Sequence, residues 1–167
     1  DNIKAKFGNN DDLQIYHNGS HSYVINNTGD LEIINNTDDG DIKLVSDDGS
    51  GGTATYFQLD GSQAQLKVHK NMVFYDSVRA RFGTSGDLDL YHNGTDSTIS
   101  NVTGDLYIQN SADNKDIYVQ SDNGSGGMAT YFCLDGSAAT GTYCYTTFPD
   151  LAVLALGTGR DFEMHHT

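Results

Sequence analysis

The side chains suited to chemistry in this chain are carboxylates, imidazoles, thiols and acceptor asparagines, and most of them sit beside glycines. Asp38-Asp39-Gly40-Asp41 and Asp47-Asp48-Gly49 offer the hard oxygens that calcium takes about six to eight at a time. Neither loop has EF-hand or calcium β-roll spacing. Seventy-five residues on, Asp39, Gly40 and Asp48 are replaced by Asn114, Lys115 and Asn123, which weakens a cation site. These loops read better as solvated turns, where Asp and Asn tolerate left-handed backbone. His17 and His92 each follow a Tyr and precede an Asn-Gly pair. Around a symmetry axis such imidazoles would make a metal ligand set, but a histidine flanking a turn is more commonly exposed or hydrogen-bonded. His165 and His166 are adjacent and would point to opposite strand faces, so they are poor co-ligands. No metal centre and no cofactor are expected.

Six Asn-x-Ser/Thr sequons, at Asn18, Asn26, Asn35, Asn93, Asn101 and Asn123, are candidate glycosylation sites. Asn, Gly, Ser and Thr are also turn residues, so composition alone generates such triplets. Cys133 and Cys144 are the only cysteines. A hairpin centred between Ala138 and Ala139 would set them face to face. They would then form a cross-strand disulfide or a pair of buried thiols, and these two readings stand side by side. Nucleophilic catalysis has little support: no G-x-S-x-G elbow is present, and the paired carboxylates lie in glycine loops. An enzyme is not expected.

The elements that must position these residues are strands. Ile3-Lys4-Ala5-Lys6-Phe7 alternates apolar and basic residues, the pattern of a half-buried strand. Leu13–Tyr16 and Ser22–Ile25 flank Asn18-Gly19, a strong hairpin signal because a type I′ turn needs positive φ at both central residues. Further strands are predicted over 31–34, 42–45, 55–59, 65–68 and 72–75, about eight per module. No stretch carries a helical apolar period, so the chain is read as all-β.

These elements come twice. Residues 76–137 re-spell residues 1–62 without a gap, with 35 of 62 pairs identical. A third copy opens at Phe148-Pro149-Asp150. The reading is β repeat 1 over 1–75, β repeat 2 over 76–147 and a truncated β repeat 3 over 148–167. Self-similarity at a fixed period signals an array, and repetition builds length more readily than it builds active sites. Each module is near the size where one core is marginal. The paired residues Phe7/Phe82, Leu13/Leu88, Ile33/Ile108, Ile42/Ile117, Phe57/Phe132 and Leu59/Leu134 are the expected buried positions. Nine Lys and Arg against 23 Asp and Glu give a net charge of −14, which disfavours nucleic acid and anionic membrane as partners. No apolar run reaches the roughly 18 residues that a membrane helix needs. The chain opens in mid-pattern and is expected to be a window from a longer polypeptide, so missing targeting signals decide nothing.

Asp12-Leu13-Gln14-Ile15-Tyr16-His17-Asn18-Gly19-Ser20, Thr28-Gly29-Asp30-Leu31, Ser46-Asp47-Asp48-Gly49-Ser50-Gly51-Gly52 and Leu59-Asp60-Gly61-Ser62, with their second-copy counterparts, resemble the repeat of tail-fibre and other structural proteins of aquatic bacteriophages. The resemblance spans nearly the whole chain. Leu151–Leu156 departs from it, being apolar where the other copies alternate, as does His165 in place of Tyr16 and Tyr91. It implies a virion fibre, typically a homotrimer, with no catalysis in the shaft. The expected partner is the chain itself in a parallel homo-oligomer, with head-to-tail strand addition as the alternative. Any host-surface glycan would be met by a tip outside this window. A secreted or cell-surface filament or adhesin is the runner-up. A carbohydrate-binding module stacking sugars on Tyr16, Tyr23 and Tyr56 comes third.

Overall fold

Asparagine, aspartate and glycine cut the chain into short strands, and each run of three folds back on itself as a meander. The computed structural model describes Asp1 and residues 3–165; the relation of His165 to His166 lies outside the described residues. The chain divides into two units, residues 1–75 and 76–167. In the first, β1 (Lys4–Phe7), β2 (Leu13–His17) and β3 (Ser22–Asn26) form one antiparallel sheet, and β4 (Ile42–Asp47), β5 (Thr53–Asp60) and β6 (Gln65–Val68) form another. The second unit holds β7 (Ala80–Phe82), β8 (Leu88–His92) and β9 (Ser97–Asn101), then β10 (Ile117–Asp122), β11 (Met128–Asp135) and β12 (Tyr145–Thr147), and a hairpin of β13 (Val153–Leu156) and β14 (Phe162–His165). No helix occurs among the described residues.

Register repeats along with sequence. Ala5 faces Ile15 as Ala80 faces Leu90, and Ile15 faces Val24 as Leu90 faces Ile99. The hairpin β13–β14 continues this, with Leu156 opposite Phe162 where the earlier copies pair Phe7 with Leu13 and Phe82 with Leu88. One bulge also recurs: the pairing slips between Leu44 and Val45 and again between Val119 and Gln120, leaving Tyr56 and Tyr131 as the extra residues. Gly8 and Gly83 begin equivalent turns at φ 83° and 84°. A Cβ at either position would overlap the carboxylate of Asp12 or Asp87.

Three expectations are corrected. Each full copy has six strands, not eight: residues 31–34 and 72–75 form no ladder, because the chain offers them no partner edge. The copy-two hairpin is not centred at Ala138–Ala139. Cys133 pairs with Thr147 across a loop spanning 136–144, while its counterpart Gln58 pairs with Lys67 across the short turn 61–64. Finally, the expected core is not buried within the chain. Leu13, Ile42, Phe57 and their counterparts are half-buried, while Phe7, Ile33, Leu59 and theirs are exposed. Among the described residues, Cys133 is the single buried hydrophobic side chain. Alternation placed these residues on common faces, but those faces are left largely open.

Candidate functional site

The turn carboxylates spend their oxygens on the turns themselves. Asp48 Oδ1 accepts the Ser50 N–H at 2.8 Å, the Ser50 hydroxyl at 2.8 Å and the Gly52 N–H at 3.1 Å. These bonds, the Ser50 amide first, hold the Asp48 carboxyl below its ordinary value. In copy two the neutral Asn123 oxygen accepts the same three donors at 2.9, 2.8 and 3.1 Å. An amide replaces the acid with no change of geometry, so the oxygen's work here is closing a turn. Asp41 ties two loops together, accepting Gln58 Nε2 at 2.9 Å and the Gly61 N–H at 3.2 Å, with Lys43 Nζ 3.1 Å away. Among the described residues, no cluster of three His, Cys, Asp or Glu is arranged to hold a metal.

The imidazoles and asparagines also serve the hairpins. His17 Nδ1 lies 3.1 Å from Ser22 Oγ, and His92 Nδ1 lies 3.1 Å from Ser97 Oγ. Asn18 Oδ1 accepts the N–H groups of Ser20 and His21, and Asn93 Oδ1 those of Thr95 and Asp96. Asn26 Nδ2 donates to the carbonyls of Thr28 and Gly29, as Asn101 Nδ2 does to Thr103 and Gly104. A glycan attached to that nitrogen would replace one of its two hydrogens and so break one of those bonds. Asn35 Nδ2 donates to the Asp41 carbonyl. The sequon asparagines are thus turn caps dispersed along the chain. The cysteines are not brought together: Cys133 is buried, with its Sγ 3.5 Å from Thr147 Oγ1, and Cys144 is a free, exposed thiol.

In both first sheets and in the second sheet of copy one, the polar face closes on itself. In the first sheet of copy one, Lys4 donates to Gln14 Oε1 at 2.9 Å and lies 4.5 Å from the centroid of the Tyr16 ring, which stacks on Tyr23 at 4.9 Å. In copy two, Arg79 and Arg81 bind Asp89 at 2.7 and 3.1 Å, and the Arg79 guanidinium covers Tyr91 at 3.9 Å. Arg79 above all holds the Asp89 carboxyl below its ordinary value. In the second sheet of copy one, Lys67 and Ser62 bring Asp60 down to about 2. Among the described residues, Asp60 and Asp89, each 7% exposed, are the buried charged ones, a feature sequence reasoning missed. These cations cover one face of the Tyr16 ring and one face of the Tyr91 ring.

The opposite faces are apolar and open. Ala5, Phe7, Leu13, Ile15 and Val24 share one face of the first sheet, and Ile42, Leu44, Phe57, Leu59, Leu66 and Val68 share one of the second. Most of these side chains are exposed. The chain exposes 13566 Å², whereas two separately compact units of this mass would expose about 9,700 Å². One apolar face is partly roofed. Val119, Phe132 and Phe148 line an open cleft of about 880 Å³ with Val153, Ala155 and Glu163 of the last hairpin. Val153 and Ala155 occupy the places of Lys4 and Lys6, so this cleft has apolar residues where the earlier copies carry basic ones.

The chain matches no protein-family model, no curated protein and no solved structure.

Proposed function

We propose that this chain is a repetitive shaft segment of an extracellular fibre, most simply a bacteriophage tail fibre in the virion, built from parallel copies of the chain itself. The observation that carries this reading is the set of exposed apolar faces that recur every 75 residues, on a chain whose surface exceeds that of two compact units by about 3,900 Å². Burying exposed apolar faces is what drives obligate association. The function is mechanical: ladders stacked along one axis give length and stiffness, and the net charge of −14 keeps the assembly soluble. The tail-fibre assignment rests on the resemblance of the turn and strand strings, and three copies is the favoured number. Sedimentation and native mass spectrometry of residues 1–167 test it. A discrete parallel oligomer is expected, and a folded monomer at micromolar concentration would overturn it.

A secreted filament is the second reading, favoured by one observation: the acceptor turns at Asn18 and Asn93 are exposed in both copies. Sugar on either residue in native material would select it over the virion fibre.

A further inference from the structure

We infer that the seam between copies is the apolar face of each first sheet, formed by Phe7, Ile15 and Val24 and again by Phe82, Leu90 and Ile99, and that its occupant is the same face of a second copy in register. The inference rests on the reading of the chain as a self-assembling segment, and it says which of two faces turns inward.

Cross-strand partners share a face, so the ladder columns sort these sheets without ambiguity. Ala5, Ile15 and Val24 form one column, with Phe7 and Leu13 in the next column on that face. Phe7, Ile15 and Val24 are exposed at 52%, 46% and 58%, and Phe82, Leu90 and Ile99 are exposed likewise. The reverse face holds Lys4, Lys6 and Gln14, or Arg79, Arg81 and Asp89, whose charges and hydrogen bonds are satisfied within the chain. A satisfied polar face is stable in water, while an apolar face gains by leaving it.

Three further observations select a second copy as the occupant. The face recurs 75 residues on with the same register, so a second copy carries an equivalent stripe for each of the two sheets. The last hairpin carries a third stripe of the same kind in Leu154, Leu156, Phe162 and Met164, all exposed. The chain's surface excess of about 3,900 Å² is more than the roughly 800 Å² per partner that a standard interface covers. Charge agrees. The strand residues on this face include no Asp, Glu, Lys or Arg, so a chain of net charge −14 can bring copies together there without setting like charges opposite one another.

The test uses the full chain with Cys133→Ser and Cys144→Ser, carrying one new cysteine at neighbouring positions on opposite faces. Phe7→Cys and Ile99→Cys probe the apolar face, and Lys6→Cys probes the charged one. Under a mild oxidant or a short bis-maleimide, the first two should cross-link chains at least ten-fold faster than the third. Val24→Asp combined with Ile99→Asp should weaken association at least ten-fold, whereas Lys6→Gln should leave it unchanged. An oligomer that cross-links through Lys6→Cys instead, or that survives both Asp substitutions, overturns the seam while leaving self-assembly standing. A monomeric parent chain overturns both.

Discussion

Each copy of the repeat buries one carboxylate, but in different sheets. Copy one buries Asp60 in its second sheet, under Lys67; copy two buries Asp89 in its first, between Arg79 and Arg81. The counterparts are half-buried and less heavily charged. Gln14 replaces Asp89 and accepts from Lys4, while Asp135 replaces Asp60 and is held by Ser137, Ala138 and Thr147. Where copy two gains its acid, Lys4 and Lys6 have become arginines, whose guanidinium suits a carboxylate and an aromatic face together. Where it loses Lys67, the strand opposite Cys133 arrives five residues later and brings a threonine. Backbone and apolar columns stay constant while the polar face is rewritten in matched sets. The turns and apolar face therefore specify the fold, and the polar face need only be satisfied.

The largest effect should come from the shared part. Gly8→Val and Gly83→Val each force a β-branched residue into left-handed backbone and drive its Cβ onto Asp12 or Asp87. Each should cost about 1–3 kcal/mol, equally in the two copies, by denaturant unfolding of the full chain. A twofold difference between them would break the equivalence of the two turns.

Arginine and lysine should separate next. Arg79→Ala removes a charged bond to Asp89 and the close cover of Tyr91, whereas Lys4→Ala removes a bond to a neutral amide and a longer contact with the Tyr16 ring. The thermal midpoint should fall further for Arg79→Ala. Equal shifts would mean that the acid adds nothing to the first sheet of copy two.

Acid sharpens the same contrast. Asp60 sits at about 2 against an ordinary 3.8, because Lys67, Ser62 and Gln63 bind its charged form. Its stabilisation is complete above pH 3.8, declines as the unfolded chain takes up the proton first, and is gone below about pH 2. Lys67→Thr makes copy one resemble copy two. The carboxyl should then titrate higher but still below 3.8, since neutral donors alone hold Asp135 down. Carboxyl-detected NMR reads the midpoint directly, and an unmoved Asp60 would show that the lysine is not its main partner.

Strand positions were legible because alternation and Asx-Gly turns are local signals, and the Asn18-Gly19 and Asn93-Gly94 hairpins join the expected strands. The turn is not the expected type I′, because each loop has four residues, 18–21 and 93–96, with positive φ at Gly19 and Gly94 but not at Asn18 or Asn93. Burial was not legible. Alternation shows that Phe7 and Ile15 lie on the same side of a sheet and says nothing about what covers that side. The strand forecast at 31–34 failed for a related reason: Leu31-Glu32-Ile33-Ile34 has strand composition, but a ladder also needs an edge to pair with. The cysteine register failed because the 136–144 loop lacks a centred Asn-Gly, and nothing local fixes its length. The buried acids were hidden because Asp60 reads as a turn residue until the pairing of Gln58 with Lys67 sets the lysine diagonally across from it.

The smallest effect is the most diagnostic for the acidic loops. Asp48 and Asn123 accept the same three donors at closely similar distances, so Asp48→Asn should leave the unfolding midpoint unchanged near neutral pH. Asp48→Ala removes the acceptor itself, strands the Ser50 and Gly52 amides and should lower the midpoint measurably. Repeating both with millimolar calcium separates a turn from a cation site. A turn cap needs only an oxygen, which Asn supplies, while calcium needs the charge as well. A midpoint that rises with calcium in the parent chain and no longer rises in Asp48→Asn would make this loop a ligand-binding difference between the copies; a calcium-independent midpoint leaves it a turn in both.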